Sequence, residues 1–531
     1  MGHPVVWRLT AMIAAGVLCA PTLAGAIDAD PNVARGVRYL QASGGANTGE
    51  SALKALALIK AEVPASDPMV ADALGKIRAR FSGSNYRPES GGGPDVYEAS
   101  VTLMALANLD PVAYRAEIEG AARHILSKQK PNGSWDYDFR SAGDTSISQY
   151  AVLGLWEADN VGFAIEPEVW NRAARWFIGT QSPVGSWNYH RDESGPETMS
   201  MTAAGTGSLL ICFRQLAPFR NLKPPNPLLI PVTPEAGRRT PTDLVAEGRL
   251  AGAIRGGLNW LTRNFSTSQP DVVGHSPYYA LYGIERIGAL ADQATLGKQN
   301  WFEDGRRFLA ATQQSGGNWT ATYGDGPNTA WGVLFLTKST AKSVRKLQLR
   351  RLGAGTLIGG RGLPADLSQI SVAGGRVVAR PMDGAVEGML AVLEDPRVVD
   401  AASALAGLVA RYQVDGSKAL RPHEARFHKL LSDPDQGVRR VAAWGLARTG
   451  ELGVAPDLIS ALRDPDPGVR DEARDGLQLL SRRIDGFGPP RDATPDQVEA
   501  AVKSWRAWYE GARPAGSPPL PPDPGPNRRG P

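Results

Sequence analysis

The sequence predicts an all-α protein, an α6/α6 toroid followed by a short α-solenoid. Three observations predict it. The pattern Q-x3-G-x-W occurs three times, at Gln129–Trp135, Gln181–Trp187 and Gln313–Trp319. Amphipathic segments alternate six times with charge-poor segments rich in Ala, Gly and Leu, between about Asn32 and Ser339. Downstream a different repeat has a period of 31 residues, with Asp433 superimposing on Asp464 and Asp395 marking an earlier copy.

At 531 residues the chain has room for two or three domains, at roughly 150 residues each. The 42% of hydrophobic and 21% of charged residues are ordinary for a globular protein. The net charge of +4 is spread along the chain, so no nucleic-acid partner is expected. Residues 1–26 read as a signal peptide. Arg8 supplies the basic start, LTAMIAAGVLCA the apolar stretch, and AGA ending at Ala26 the cleavage site. The apolar run is shorter than the ~20 residues that cross a bilayer, so export to the periplasm or outside the cell is expected, with no transmembrane segment after cleavage. The mature chain then keeps one cysteine, Cys212 in SLLICF, which cannot form an internal disulfide and reads as a small buried hydrophobe.

Residues 27–340 hold the six helix pairs. VARGVRYLQ leads into GESALKALALIKA, VADALGKIRARF into PDVYEASVTLMALANL, and AARHILSKQ into DTSISQYAVLGLWEA. AARWFIGTQ leads into TMSMTAAGTGSLLICF, AIRGGLNWLTRNF into HSPYYALYGIERIGAL, and DGRRFLAATQ into NTAWGVLFLTKS. Each leading segment has apolar residues on one helical face, and each following one suits burial on nearly every side. Outer amphipathic helices around inner apolar ones describe a closed ring, which has no open ends to cap. Pro218 to Thr242 is a Pro-rich surface excursion.

Residues 341–381 form a Gly-rich linker, with short β-branched runs that suit a small hairpin. Residues 382–512 hold the solenoid, in which Asp-Pro ends one helix and the next Asp or Gly starts another. Its last helix begins after Thr494, with Pro495 at the first helical position. The Pro-rich tail 513–531 is expected to be disordered.

The three Q-x3-G-x-W copies resemble the QW repeat of squalene–hopene cyclases and other terpenoid cyclases, whose toroid the prenyltransferase β-subunit shares. The 31-residue period resembles HEAT or phycobilisome-lyase-type repeats, and the pairing resembles a family of exported bacterial proteins. The pattern itself reads as a structural joint. The amides of Gln129, Gln181 and Gln313 can bond backbone groups at a helix end. Gly133, Gly185 and Gly317 can take positive φ, and Trp135, Trp187 and Trp319 can pack over the turn and clamp outer helix to inner helix.

The catalytic groups that the resemblance implies are missing. No D-x-D-D occurs, although protonating an alkene requires one acid held beside other carboxylates. The prenyltransferase zinc set of Asp, Cys and His has only Cys212 to draw on, and none of His124, His190, His275, His423 and His428 shows a metal-ligand spacing. G-x-S-x-G, P-loop and thioester motifs are absent as well, and neither metal nor cofactor is expected.

Candidate acids are Asp144, Glu98 and Glu197, near inner-helix N-termini. Asp144 also reads as a helix N-cap. Tyr97, Tyr150, Trp156, Tyr278, Tyr279 and Trp331 are candidate cavity-lining residues for an apolar ligand, or fill the ring centre. The expected function is that of an exported, non-catalytic binding or scaffold protein, with protein partners on the solenoid. The alternatives are a divergent terpenoid cyclase-like enzyme using Asp144, or a carbohydrate-active toroid using two of the three acids.

Overall fold

The computed structural model describes residues 30–89, 94–191, 195–220, 243–344, 370–373, 376–379, 382–395, 401–491, 493–513, 520 and 522–523. The stretch 1–26 expected to be a signal peptide, the Pro-rich excursion from residue 221 on, most of the expected linker and most of the tail lie outside them.

The outer helices of the ring are α1 (Pro31–Ala42), α3 (Pro68–Arg78), α5 (Arg115–Ser127), α7 (Pro167–Thr180), α9 (Glu247–Asn264) and α12 (Trp301–Thr312). The inner helices are α2 (Thr48–Lys60), α4 (Pro94–Leu109), α6 (Thr145–Asn160), α8 (Met199–Leu216), α11 (Pro277–Ala291) and α13 (Asp325–Leu336), with a single turn α10 (Pro270–Val273) before α11. Composition separates the layers. Every residue of α8 from Met199 to Cys212 is buried, whereas α7 buries one face through Trp170, Ala174 and Phe177. Side-chain acceptors start four of the six inner helices: Asn47 caps α2, Asp144 α6, Thr198 α8 and Ser276 α11. Each inner helix packs on the next, and α13 packs back on α2, so the six pairs close into a ring. A two-stranded hairpin, β1 (Phe81–Ser82) with β2 (Asn85–Tyr86), sits between α3 and α4.

The three Q-x3-G-x-W segments build one joint three times over. In each, the glycine has φ of +90 to +97°. A Cβ there would lie 2.2 to 2.5 Å from a carbonyl oxygen of the next outer helix, at Arg172, Gly256 or Arg35. The Gln129 amide donates to Gly133 O (3.0 Å) and to Val169 O (3.1 Å). Gln181 does the same with Gly185 O and Ala253 O, and Gln313 with Gly317 O and Asn32 O. The indoles of Trp135, Trp187 and Trp319 donate back to Ile125, Phe177 and Leu309, while Ser148, Thr202 and Thr329 of the inner helices take their backbone N–H groups. The joint thus does more than clamp outer to inner helix: its glutamine reaches the neighbouring outer helix. The third copy joins the last pair to α1 and seals the ring.

Residues 337–344 close one end of this ring. Lys60 of α2 donates to Ser339 O (3.1 Å) and Ser343 Oγ (2.7 Å), and Ser343 donates to Glu157 of α6 (2.7 Å). The carboxylate of Glu285 of α11 accepts from the N–H groups of Thr340 and Ala341. Three inner helices spaced around the ring therefore converge on one segment. Part of it, 341–344, falls in the stretch that the sequence reads as linker.

Within the linker, β3 (Ile370–Ala373) pairs antiparallel with β4 (Arg376–Ala379), the small hairpin expected there. The solenoid follows as α14 (Val386–Glu394), α15 (Ala401–Asp415), a single turn α16 (Ser417–Leu420), α17 (Glu424–Leu430), α18 (Gln436–Thr449), α19 (Ala455–Ala461), α20 (Pro467–Ser481) and α21 (Pro495–Ala512). Its 31-residue period has a physical basis. Arg439 and its repeat partner Arg470 each reach back to the carbonyls of their own Asp-Pro pair, and Asp435 and Asp466 cap α18 and α20. Arg439 also forms a buried fork with Asp464, at 2.9 and 3.0 Å. The tail is not free throughout. Asp523 pairs with Arg463 (2.9 Å), and Leu520 N–H donates to Glu510 (3.0 Å).

The solenoid docks where α11 ends. Asp292, left-handed at the C-cap of α11, accepts from Tyr412 OH (3.1 Å) and pairs with Arg448 (3.2 Å), whose guanidinium lies 5.0 Å over the Trp444 ring. Arg255 and Asp485 add a second tie at 2.9 Å.

Candidate functional site

The N-terminal ends of the inner helices meet at the other end of the ring, opposite the 337–344 floor. Four of the expected cavity residues come together there. Tyr97 lies edge-on to Tyr150 at 4.7 Å, Tyr150 stacks on Tyr279 at 6.2 Å, and Tyr279 lies 4.8 Å from Trp331. Trp331 Nε1 donates to Tyr150 OH at 3.1 Å. Because α6 and α13 stand opposite one another, that bond crosses the axis. These rings meet one another at the ring centre.

Tyr278 and Trp156 do not join the cluster. Tyr278 turns outward against Phe308 and Trp319, in the wall between inner and outer helices. Trp156 lies buried among the ring helices nearer the floor.

The same level of the ring holds polar groups that sequence reasoning missed. Arg286, 1% exposed, donates to Gln149 Oε1 (2.6 Å) and lies 4.7 Å over the Tyr282 ring. Gln149 and Ser146 both bond Tyr279 OH. Nothing local in α11 signals that its one buried arginine serves a glutamine 137 residues earlier.

Above the aromatic layer the mouth is lined by Tyr137, Tyr189, His190, His275 and Tyr323. The hydroxyls of Tyr189 and Tyr323 are 2.9 Å apart, and His275 lies between their rings, 5.3 Å from one and 6.4 Å from the other. A sequence signal for this rim exists: Tyr137 and Tyr189 each stand two residues after the Trp of a joint. The joint's hydrogen bonds fix the Trp, and the tyrosine two residues on stands at the mouth.

Asp144 also sits at this mouth. Its Oδ1 accepts from Ile147 N–H (2.6 Å), the expected N-cap, and its Oδ2 lies 3.3 Å from His190 Nε2. Burial raises its pKa to about 6, against the lowering effect of the Ile147 N–H and of His190. Such a group can hold or release a proton near neutrality. Its companions do not converge on it. Glu98 faces the β1–β2 hairpin, where its carboxylate accepts from Tyr86 OH (2.7 Å) and Glu89 N–H (2.9 Å). Glu197 is half-buried in the segment before α8, with no hydrogen bond or ion pair to either acid among the described residues. Cys212 is fully buried, and burial pushes its thiol up to about 12, the behaviour of a packing residue.

The raised pKa of Asp144 has a consequence for stability. An acid whose folded pKa lies above its unfolded value weakens the fold as pH rises through the interval between them, here from about 4 to about 6. Asp144→Asn keeps the cap acceptor and removes the charge. Its melting temperature relative to wild type should therefore increase between pH 4 and 7, as measured by calorimetry at both pH values. A pH-independent difference would contradict the assignment.

A model of the HEAT-repeat family matches residues 424–485. Two solved structures are similar to the chain, both variants of type II terpene cyclase MstE from Scytonema in complex with geranylgeranyl dihydroxybenzoate. Each shares 12% identity and covers 59% of this chain and 97% of its own, with TM-scores of 0.36 and 0.30. No curated protein matches the chain.

Proposed function

We propose that this chain is an exported, non-catalytic binding or scaffold protein, in which the ring is a rigid platform and the HEAT-type solenoid engages protein partners. One observation carries the reading. Tyr150, Tyr279 and Trp331 occupy the ring axis and bond across it, above a floor made by residues 337–344. An apolar ligand of the ring is then received at the aromatic rim, where Tyr323 is 40% and Phe139 82% exposed, and not in a deep chamber. The candidate acids favour the same reading, since Glu98 is engaged by its own hairpin and Asp144 by its own helix.

The test is incubation of the purified mature protein with squalene and, separately, with a prenyl diphosphate and an acceptor. No product is expected; a cyclised or prenylated product would overturn the proposal. Export has its own readout. The protein recovered outside the cytoplasm should begin at Ile27, and recovery with residues 1–26 intact would refute cleavage at Ala26.

The Asp144–His190 pair favours one second reading, a divergent acid catalyst. In that case Asp144→Asn abolishes turnover while leaving the helix capped. The carbohydrate-processing alternative needs two carboxylates about 5–10 Å apart across a sugar ring, and the divergent placements of Glu98, Asp144 and Glu197 speak against it.

A further inference from the structure

Between the ring and the solenoid lies a cleft of about 570 Å³, beside the Asp292–Arg448 tie. That volume falls within the about 300–1000 Å³ of small-molecule sites, which favour domain boundaries. Six arginines line it, Arg214, Arg220, Arg448, Arg474, Arg482 and Arg491, against four carboxylates.

The donors of two of these arginines are incompletely used, and they come from different domains. Arg220, just past α8, gives Nη1 to Val245 O (3.0 Å), but its buried Nε and Nη2 have no acceptor among the described residues. The Glu247 carboxylate stands 4.0 Å from that Nε, beyond hydrogen-bond distance. Burial accordingly lowers the Arg220 pKa. On the solenoid side Arg448, 7% exposed at its side chain, spends Nη1 on Trp444 O and Nη2 on Asp292. Its buried Nε has no acceptor among the described residues. Arg482, exposed at the same opening, forms no ion pair among the described residues. Arg474, by contrast, is held by Asp471 and Asp475.

A buried charged donor without an acceptor is among the costlier features a fold can carry. Guanidinium forks match the oxygens of phosphate and carboxylate better than any other common group. We propose that this cleft binds a small polyanion, a molecule bearing several phosphoryl or carboxylate oxygens, which meets Arg220, Arg448 and Arg482 and so bridges ring and solenoid. The bound anion supplies acceptors to the Arg220 and Arg448 donors that meet none among the described residues. Because it contacts both domains, it also fixes the angle between them.

Titration calorimetry on the mature protein tests this, with sodium pyrophosphate and with citrate at ionic strength held constant by sodium chloride. The expected result is one ligand per chain for at least one probe, with a melting temperature that rises and saturates. Arg220→Gln and Arg482→Gln should each weaken binding at least tenfold. Arg482 is exposed, so its variant keeps the test decisive even where the Arg220 variant does not fold. Binding of pyrophosphate alone identifies a phosphoryl ligand and binding of citrate alone a carboxylate one, and either supports the proposal. A rise that sodium chloride reproduces, the absence of binding heat for both probes, or undiminished binding by folded Arg482→Gln protein overturns it.

Discussion

Trp319→Ala should open the ring at its seam and cost about 3–5 kcal/mol, the range for truncating a fully buried tryptophan. Trp319 is wholly buried, its indole donates to Leu309 O at 2.9 Å, and it packs against Gly36 of α1 and Gly332 of α13. Those two helices belong to the first and last pairs, so the cavity left behind lies on the closure itself. Trp135→Ala and Trp187→Ala create similar cavities at joints between consecutive pairs, where chain connectivity still holds the neighbours together. Hydrogen exchange separates the cases. Residues 31–42 should lose protection in Trp319→Ala and keep it in Trp135→Ala; equal protection in both would show that the seam is not special. Gly317→Ala should loosen the same place by about 1–3 kcal/mol, because an alanine would be strained at φ +90° and its Cβ would meet Arg35 O at 2.5 Å.

Arg439→Ala should destabilise the solenoid by about 3–5 kcal/mol, because it leaves Asp464 buried without its counter-charge. The side chains are 8% and 2% exposed, and Asp464 accepts from Nε and Nη2 of Arg439. Replacing both residues, Arg439→Met with Asp464→Leu, should recover much of the loss, since the cost lies in the orphaned charge more than in the missing pair. Denaturant unfolding of the three proteins measures this. A single variant within 1 kcal/mol of wild type would mean that water reaches Asp464.

The ring and its joints were legible because they rest on short-range rules. Helical periodicity, a positive-φ glycine and a Trp that packs over its own turn act within about ten residues, and three copies repeat them. The Asp-Pro pairs of the solenoid are legible for the same reason: Asp435 and Asp466 cap the helices that they immediately precede. The Asp144 cap was legible too, but His190, which sits 46 residues away at its other oxygen, was not. Glu98 looked available at a helix start, yet its partner Tyr86 lies on a two-residue strand that no periodicity announces. Tyr278 and Tyr279 are neighbours in sequence, about 100° apart around α11, yet Tyr278 meets Phe308 and Trp319 while Tyr279 meets Tyr150 and Trp331, a division set by the helices packed around them.

By itself the sequence determined the units of this protein: six helix pairs, three joints of one pattern and a 31-residue solenoid repeat, each announced by residues close together in the chain. Only the tertiary structure decided what the assembled ring encloses. Closure brought Trp331 across to Tyr150, set Lys60, Glu157 and Glu285 around one segment, and gathered arginines from two domains at one cleft. These contacts span tens to hundreds of residues. Their geometry depends on how the small rotations between successive pairs add up around the circle, which no local pattern encodes.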